Sequence, residues 1–589
     1  MLRQALLLII VAVLAAFCGS ESRAAEIVIE STMFNDPKIE VTPEHLAFDP
    51  RLKELWLQAL ARPEADLKIE AAKAIAKAHS RGMPDLKDTA EQLTAALGES
   101  DLHPIAALAI ARALIVLDAR ESAATLHQHA MSDGAEFAQL AEPALLKWKF
   151  EPVKKTWLDR LNSEHPPRRL LALAMRGLAE FNEQAAAPRL RELALDSSGP
   201  PTVRLEASRA LGRIQSLGLV GDAGQLAGDK SPTKSFNRLV AASMLVGHKD
   251  DAAQALLLEL AVDNEPTVAA VALGRLVELD PAAVVSVHEK VVGSPDANVR
   301  HQAVRALIAV PNVERIGLLA KLLDDSDRKV RSHVRDALYT FAADPQYKDL
   351  VIRLATETLA SDRWRGQEQS SLLLGALDHE PAADRLVQLI DSEKPQVYVA
   401  SAWALRQLAV RSTLPAMLDR AKKMTEFLLN STMLTETNAP QRKINEQIRE
   451  LFQAFGQMKY AEALPLIARY VPKGGVWEIQ TRCAAIWAGG YILEGNPDER
   501  TVNALIERLS DVDSPNPEDD RVRRMSAISL GRMKAEKALT ALRKFYDESG
   551  PVVGYACAWA IRKITGEDLP DPPAPTFVQR GWFLEPILE

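Results

Sequence analysis

Cysteine is scarce in this sequence. Three occur in 589 residues, and one of them, Cys18, lies in an apolar run near the N-terminus. The other two, Cys483 and Cys557, are too few for a disulfide framework, which excludes a small fold stapled by disulfides. Both stand where the repeating pattern described below has a small core residue, so we predict that they are buried and do not pair.

Long basic runs are also missing, and aromatic residues make up only 5% of the chain. The formal net charge is −8, so nothing suggests the positively charged footprint of a nucleic-acid-binding protein. With 47% hydrophobic residues, the composition is that of a folded chain. A single core rarely grows beyond about 300 residues, so this length requires several domains or a repeat array.

Motifs that would carry chemistry are absent as well. Gly224 to Ser231 resembles a phosphate-binding loop only faintly, because Asp229 interrupts it and no strand precedes it. His127 and His129 could grip a metal, but two ligands are too few for a tetrahedral site. No haem-attachment motif occurs. We therefore predict a non-enzymatic protein with no catalytic residues, no cofactor and no metal.

Long hydrophobic runs are confined to the N-terminus. A positively charged start is followed by thirteen apolar residues, Ala5 to Phe17, and then by small residues that suit cleavage after Ala24. This is the layout of a secretory signal peptide, and thirteen residues fall short of the about 20 that span a bilayer. We predict a signal peptide over 1–24 and a periplasmic or secreted chain with no integral membrane span. The alternative is a lipoprotein anchored through Cys18.

One pattern does recur along the chain. It reads Val-Arg-x-x-Ala-x-x-Ala-Leu, and its first apolar residue is called position i. Small or apolar residues follow at i+4, i+7, i+8 and i+11, which at about 100° per residue form one stripe of a helix. In the unit at Val203 these are Ala207, Ala210, Leu211 and Ile214.

Fifteen helices fit this pattern, and most begin 31 to 36 residues after the previous one. Each step also has room for a second, upstream helix, with Asp- and Ser-rich turns between the two. Such two-helix units bury their stripes only by stacking. The positions i lie at or near Leu67, Ala106, Phe137, Leu170, Val203, Asn237, Val268, Val299, Val330, Gly366, Val397, Gln447, Ile479, Val522 and Val553.

These units resemble HEAT repeats, with an aspartate three residues before position i at Asp296, Asp327 and Asp519. The resemblance covers about residues 51–565 and is closest to phycobilisome-lyase-like proteins. It implies an all-α fold, a right-handed α-solenoid of about fifteen stacked HEAT-type helix pairs. An extended N-terminal segment over 25–50 and a Pro-rich C-terminal tail over 566–589 would flank it. A bilin-lyase role would rest on this resemblance alone. The iron-binding His-Glu pairs of deoxyhypusine hydroxylase, which resembles such an array, are missing at i+2 and i+3.

The exposed stripe of the second helices offers a candidate binding surface. Position i+6 lies roughly opposite the apolar stripe and should face the inner, concave side. Arginine and tryptophan, which are common at binding hot spots, stand there at Arg112, Arg176, Arg209, Arg305, Trp403 and Trp559. We predict a groove that takes an extended acidic or amphipathic segment. The alternative is a row of solvated arginines with tryptophans packed against neighbouring helices.

The function predicted from these patterns is a non-enzymatic scaffold that captures a protein or peptide, and no nucleic acid, outside the cytoplasm. Alternatives are an assembly factor for an extracytoplasmic enzyme complex and a lyase-like enzyme. Insertions around 420–443 and 511–520 would emerge on one face of the solenoid. The aromatic residues of the tail, Phe577, Trp582 and Phe583, are expected to cap the last unit or to dock on a partner.

Overall fold

The computed structural model describes residues 27, 32–41, 45–164, 166–228, 231, 234–430, 439–474, 478–570, 572 and 576–586. The predicted signal peptide, its cleavage site and Cys18 lie outside the described residues. By their contacts the residues divide into two compact units. We call residues 44–306 with 576–589 the first unit, and residues 1–43 with 307–575 the second unit.

Across these described ranges the chain forms thirty α-helices, which follow one another as fifteen pairs and confirm the predicted all-α solenoid architecture. The helices are α1 Arg51–Leu60, α2 Ala65–Ser80, α3 Ala90–Leu97, α4 Pro104–Val116, α5 Ala123–Ser132, α6 Gly134–Lys147, α7 Val153–Leu161, α8 Arg168–Glu180, α9 Ala187–Leu195, α10 Pro201–Ile214, α11 Val220–Ala227, α12 Ser235–Met244, α13 Asp251–Leu260, α14 Pro266–Leu279, α15 His288–Val292, α16 Ala297–Ala309, α17 Val313–Lys321, α18 Arg328–Phe341, α19 Pro345–Ala360, α20 Trp364–Ala376, α21 Ala383–Leu389, α22 Pro395–Leu408, α23 Leu414–Asn430, α24 Ala439–Gln457, α25 Leu464–Ile467, α26 Ile479–Ile492, α27 Glu499–Ser510, α28 Asp520–Arg532, α29 Leu539–Glu548 and α30 Pro551–Thr565.

The apolar stripe explains why these segments are helices and how they stack. All fifteen predicted positions i fall in the second helix of a pair, and Ala207, Ala210 and Leu211 of α10 are buried as the stripe requires. Within each unit, second helices pack against the second helices of neighbouring pairs. Burial of the stripe between neighbours, rather than in a single central core, therefore holds the array together.

The arginine that follows position i has a structural task. Arg204 Nε donates to the carbonyl of Ala194 at 3.3 Å, and Arg523 Nε donates to that of Leu509 at 3.0 Å. Each acceptor lies at the C-terminal end of the preceding helix, where carbonyl groups lack partners within the helix and a cation is favourable. This ladder of contacts locks the two helices of a pair together.

The same arginine contact shows that the predicted position i of α26 is wrong. Arg482 Nη2 donates to the carbonyl of Val471 at 2.9 Å, as the arginine at i+1 does in other pairs. Position i of α26 is therefore Thr481 and not the predicted Ile479. The error arose because α26 is apolar or small on all sides, with ten of its residues buried, so the stripe alone does not define its register.

Aspartate and glycine complete the repeat. Asp327 Oδ1 accepts from the backbone N–H of Lys329 at 2.8 Å, an N-cap that satisfies an otherwise unpaired donor. Glycine at i+9 permits close helix packing. A Cβ on Gly212 would lie 2.4 Å from the carbonyl oxygen of Met244, and one on Gly531 would lie 2.7 Å from Ala560 Cα.

The C-terminal tail packs in a place that was not predicted. In the first unit, β1 His45–Ala47 pairs in parallel with β2 Thr576–Val578. Trp582 is buried, with its ring centroid 5.7 Å from that of Trp56 in α1, and Trp56 Nε1 donates to the carbonyl of Phe583 at 2.7 Å. The expectation that these aromatics cap the last pair is therefore wrong for Trp582, which covers the first pair. Its apolar character could be seen in the sequence, but its partner could not.

The two insertions differ from each other in structure. Residues 420–443 lengthen α23 and α24 to 17 and 19 residues, with 431–438 outside the described part of the chain. The acidic stretch 511–520 forms a loop whose carboxylates are used within the second unit. Glu518 is buried against Arg482, with Nη1 to Oε1 at 2.8 Å, and Asp511 accepts from Lys473 at 2.9 Å.

Candidate functional site

An open groove of about 1100 Å³ crosses the second helices of the first unit from the end of α6 to α16. Its floor is built of small or apolar side chains, among them Ala179, Ala210, Ala242, Val246, Ala270 and Val271. Seven basic side chains and four carboxylates line it. The basic residues are Lys147, Lys149, Arg176, Arg209, Arg213, Arg275 and Arg305, and the acidic ones are Glu180, Glu206, Glu278 and Asp296.

Three of the six predicted binding residues lie in this groove. They are Arg176 on α8, Arg209 on α10 and Arg305 on α16. Arg176 and Arg209 are exposed, and Arg305 is half-buried with Nη1 donating to Gln302 Oε1 at 2.9 Å. Arg112 on α4 is exposed but does not line the groove. The structure therefore brings the central part of the predicted arginine row together on one surface.

A single carboxylate joins two of these arginines. Arg176 donates to Glu206 through Nε and Nη2, both at 2.8 Å, and Arg209 Nη1 lies 3.6 Å from Glu206 Oε1. The hydrogen bond from Arg176 holds the pKa of Glu206 below its ordinary value, although partial burial opposes this. One carboxylate cannot neutralise two guanidinium groups, so this stretch keeps an excess of positive charge that is open to solvent.

The groove combines charged side chains with small aliphatic ones. Its side chains are Arg, Lys, Glu, Asp, amides, hydroxyls and small aliphatic groups, with no histidine, cysteine or tyrosine among the described residues that line it. Fixed cations over an apolar floor suit an extended chain that carries carboxylates, because arginine binds carboxylates through two parallel hydrogen bonds.

In each unit, we call the side formed by the i+6 positions of the second helices its inner face. In the second unit this face is occupied by the chain's own N-terminal segment. Thr32–Asn35 forms a short 3-10 helix in which Met33 is fully buried. Gln453 Oε1 on α24 accepts from the Met33 N–H at 3.3 Å, and Arg406 Nη1 on α22 donates to Thr32 Oγ1 at 3.0 Å. Nothing in the sequence of this segment, which lacks a helical stripe, signalled that it packs there.

Asp36 ends this contact in a site made of three side chains. Arg532 Nη2 lies 3.0 Å from Asp36 Oδ2, Trp487 Nε1 donates to the same oxygen at 3.2 Å, and the Tyr491 hydroxyl also donates to it. The Arg532 guanidinium lies 3.9 Å from the Tyr491 ring centroid and 6.0 Å from that of Trp559. Burial, together with the hydrogen bond to Asp36, raises the pKa of Tyr491 to about 12, so the hydroxyl keeps its proton.

The two predicted tryptophans belong to this second face, but as packing groups. Trp403 is buried, and its ring lies 3.1 Å from where a Cβ on Gly375 would stand. With Ile27 it lines a shallow cavity of about 480 Å³. Trp559 is half-buried, and its ring packs in the same way at Gly531. Trp487 is the residue that sequence reasoning missed, because it falls at i+6 only when position i moves to Thr481.

The remaining candidates for chemistry are structural. Cys483 and Cys557 are buried free thiols, as predicted, and burial raises the pKa of each to about 12. His127 Nε2 is hydrogen-bonded to Thr156 Oγ1 at 2.8 Å. No group of three or more potential metal ligands occurs within the described ranges. Over the same ranges, no helix has the length and apolar character needed to cross a bilayer.

Comparisons with known proteins agree with the repeat assignment. A family model of HEAT repeats matches residues 253–339 and 477–562. No curated protein sequence matches the chain. Among solved structures, Kap95p in its complex with RanGDP is similar, with 14% identity, a TM-score of 0.50, and coverage of 87% of this chain and 72% of that one. Yeast importin-β (Kap95p) itself matches with 13% identity, a TM-score of 0.43 and the same coverage. At this identity, the likeness shows the fold alone.

Proposed function

We propose that this protein is a non-enzymatic scaffold that captures an extended acidic segment of a partner protein along the groove of the first unit. The observation that carries the proposal is the placement of Arg176, Arg209 and Arg305 on one groove of about 1100 Å³ with an apolar floor. The similar protein Kap95p is described in complex with RanGDP, so this architecture is one that binds proteins. Because a fold does not fix a function, the argument rests on the groove itself.

Capture would proceed by exchange of carboxylates. A partner carboxylate would enter between Arg176 and Arg209 and pair with the positive charge that Glu206 does not neutralise. Because the exposed ion pair that holds Glu206 contributes only about 0–1 kcal/mol, its rearrangement is a small barrier to binding. Interactions of this kind speed association and weaken as salt is added.

The proposed location is outside the cytoplasm, and it rests on the signal-peptide layout of residues 1–24. The mass of the intact protein purified from its source tests this. A chain that begins at Ala25 is expected. A lipid-modified chain that begins at Cys18 would instead support the lipoprotein alternative, and an uncleaved chain would contradict export by this signal.

A cross-linking pull-down from extracytoplasmic extract tests the groove. The mature chain is compared with the double variant Arg176→Glu/Arg209→Glu, and we expect the captured partner to be lost in that variant. Arg191→Glu is the matched control, because Arg191 forms an equally exposed two-bond pair with Asp222, at 2.6 and 2.8 Å, on the first helices α9 and α11. A partner retained by the double variant, or lost equally in the control, would contradict groove binding.

The two alternative functions can each be tested separately. An assembly factor for an extracytoplasmic enzyme complex would yield enzyme subunits in the same pull-down. A lyase-like enzyme, suggested by the resemblance to phycobilisome-lyase-like proteins, would carry bound pigment, which the visible absorption spectrum of the purified protein detects. Colour in the protein would overturn the non-enzymatic proposal.

A further inference from the structure

The N-terminal segment is held on the second unit in the manner of a bound peptide. Its contacts are made by side chains of four successive second helices, α22, α24, α26 and α28, through Arg406, Gln453, Trp487 and Arg532. A further contact joins Arg335 Nη2 on α18 to the carbonyl of Ile27 at 3.0 Å. The helices supply fixed donors together with two acceptors, Gln453 Oε1 and Asp336 Oδ1, and the segment supplies the matching groups and the buried side chain of Met33.

The site for Asp36 is built in advance for a carboxylate. Only 5% of the Arg532 side chain is exposed, and its guanidinium is held between aromatic rings. Other buried arginines of the second unit take their carboxylate from a nearby helix or loop, as Arg482 does from Glu518. Arg532 takes its carboxylate from a segment that lies outside the helix pairs, and its Nη1 has no hydrogen-bond partner among the described residues. This guanidinium therefore holds a carboxylate that the helix pairs themselves do not supply.

Met33 supplies the second anchor. Its side chain is fully buried where the 3-10 helix packs against α26, three residues before Asp36. At the upstream end of the contact, Arg406 donates to the Thr32 hydroxyl, and Gln453 accepts from the Met33 N–H. The surface thus distinguishes an apolar residue, a hydrogen-bonding turn and an aspartate at a defined spacing.

We infer that the inner face of the second unit is a second peptide-binding site. Its ligand is a protein segment that forms a short 3-10 turn and carries an apolar residue three positions before an aspartate. In the free chain residues 32–36 fill the site as an intrachain ligand, which a partner segment of the same pattern displaces. A tethered segment acts at an effective concentration in the millimolar range, so the intrachain ligand sets a threshold that the partner must exceed.

Fluorescence anisotropy with a labelled peptide tests this inference. The peptide has the sequence of residues 27–41, and it is titrated with the full chain and with the full-chain variant Met33→Glu/Asp36→Ala. The variant vacates the site, so we expect it to bind the peptide at least about 10-fold more tightly than the wild-type chain does. A peptide with Asp36→Asn should bind the variant at least about 10-fold more weakly, because it loses the charge-assisted bonds.

Two further variants test the specificity of this site. Arg532→Lys in the vacated chain keeps the charge but loses the planar fork, and it should weaken the binding of the peptide about 10-fold. The titrations are repeated in the Arg176→Glu/Arg209→Glu background, because the peptide carries three carboxylates against one lysine and could also enter the groove of the first unit. The difference between the vacated and wild-type chains should persist there, which separates this site from that groove.

Three results would overturn the inference. Equal affinity for the wild-type and vacated chains would show that residues 32–36 do not fill the site. No binding to a vacated chain whose circular dichroism and melting match the wild type would show that the face does not recognise this pattern. A vacated chain that no longer folds would show that the segment is a structural part rather than an exchangeable ligand.

Discussion

The inner faces of the two units are built from the same repeat but present different surfaces. In the first unit the groove is open, and its arginines share a carboxylate that stands on a neighbouring second helix. In the second unit the corresponding face is filled, and the carboxylate on Arg532 comes from Asp36. The repeat therefore specifies how helices stack, while the residues outside the stripe specify whether a face is free.

The difference between the faces is also one of burial. The pair of Arg176 and Glu206 is 64% and 16% exposed, so it is screened by water and contributes about 0–1 kcal/mol. Arg532 is almost wholly buried, and a buried charge that loses its partner is costly. If both faces bind segments as proposed, the open one would exchange ligands freely, whereas the filled one would exchange only for a close mimic of its occupant.

We expect the largest difference in stability between breaking a buried ion pair and breaking an exposed one. Arg482→Ala leaves Glu518 buried without its main partner and removes two helix-end hydrogen bonds, so we expect a loss of about 3–5 kcal/mol in unfolding free energy. Arg191→Ala, in the exposed pair of the first unit, should cost about 0–1 kcal/mol. Urea unfolding followed by circular dichroism measures both, and similar losses in the two variants would contradict the contrast in burial.

The next effect concerns the occupant of the filled face. Met33→Ala removes a fully buried side chain, which typically costs about 2–5 kcal/mol. We expect this cost to weaken the attachment of residues 32–36 to the second unit, so hydrogen exchange at the Met33 amide should become much faster. Met131→Ala, at a position 58% exposed in the first unit, is the control and should change little. Unchanged exchange in Met33→Ala would mean that this residue does not anchor the segment.

A smaller effect should be equal on both faces. Gly212→Ala and Gly531→Ala each place a Cβ within 2.4 to 2.7 Å of a neighbouring backbone atom, so each should lose about 1–3 kcal/mol in stability. Gly224→Ala in α11 has open space around the new Cβ and should gain about 0.5–1 kcal/mol. Thermal unfolding measures all three, and destabilisation on one face alone would show that the units do not share one packing rule.

The smallest effect is an opposite response of two glutamates to pH. The pKa of Glu206 lies below its ordinary value of 4.5 because Arg176 donates to it, so its stabilising contribution is present above that value and is lost as pH falls through the lowered pKa. Burial raises the pKa of Glu450 above 4.5, although Arg406 opposes this, so the folded state gains stability as pH falls through the raised pKa.

Melting temperatures of the wild type, Glu206→Gln and Glu450→Gln between about pH 7 and pH 2.5 check these signs. The advantage of the wild type over Glu206→Gln should shrink as the solution is acidified. Its advantage over Glu450→Gln should grow. Curves that run parallel in either comparison would refute the corresponding shift.

The sequence by itself determined the fifteen helix pairs, the aspartate caps and the burial of Cys557; Cys483 is also buried, but because its helix is buried on nearly all sides and not because it stands at i+4. These features depend on contacts within one pair or between adjacent pairs, and helical periodicity records such contacts directly. It also placed Arg176, Arg209 and Arg305 on one row, because the same slot of successive units faces the same side.

Tertiary structure alone decided the register of α26, the partner of Trp582 and the occupant of the second face. Asp36 meets Trp487 across 451 positions of sequence, and Trp56 meets Phe583 across 527. Segments such as 27–41 and 576–586 have no periodicity, so their burial depends on which complementary surface the folded chain presents. A repeat pattern describes the stacking of neighbours and leaves the capture of such distant segments to the shape and charge of the assembled surface.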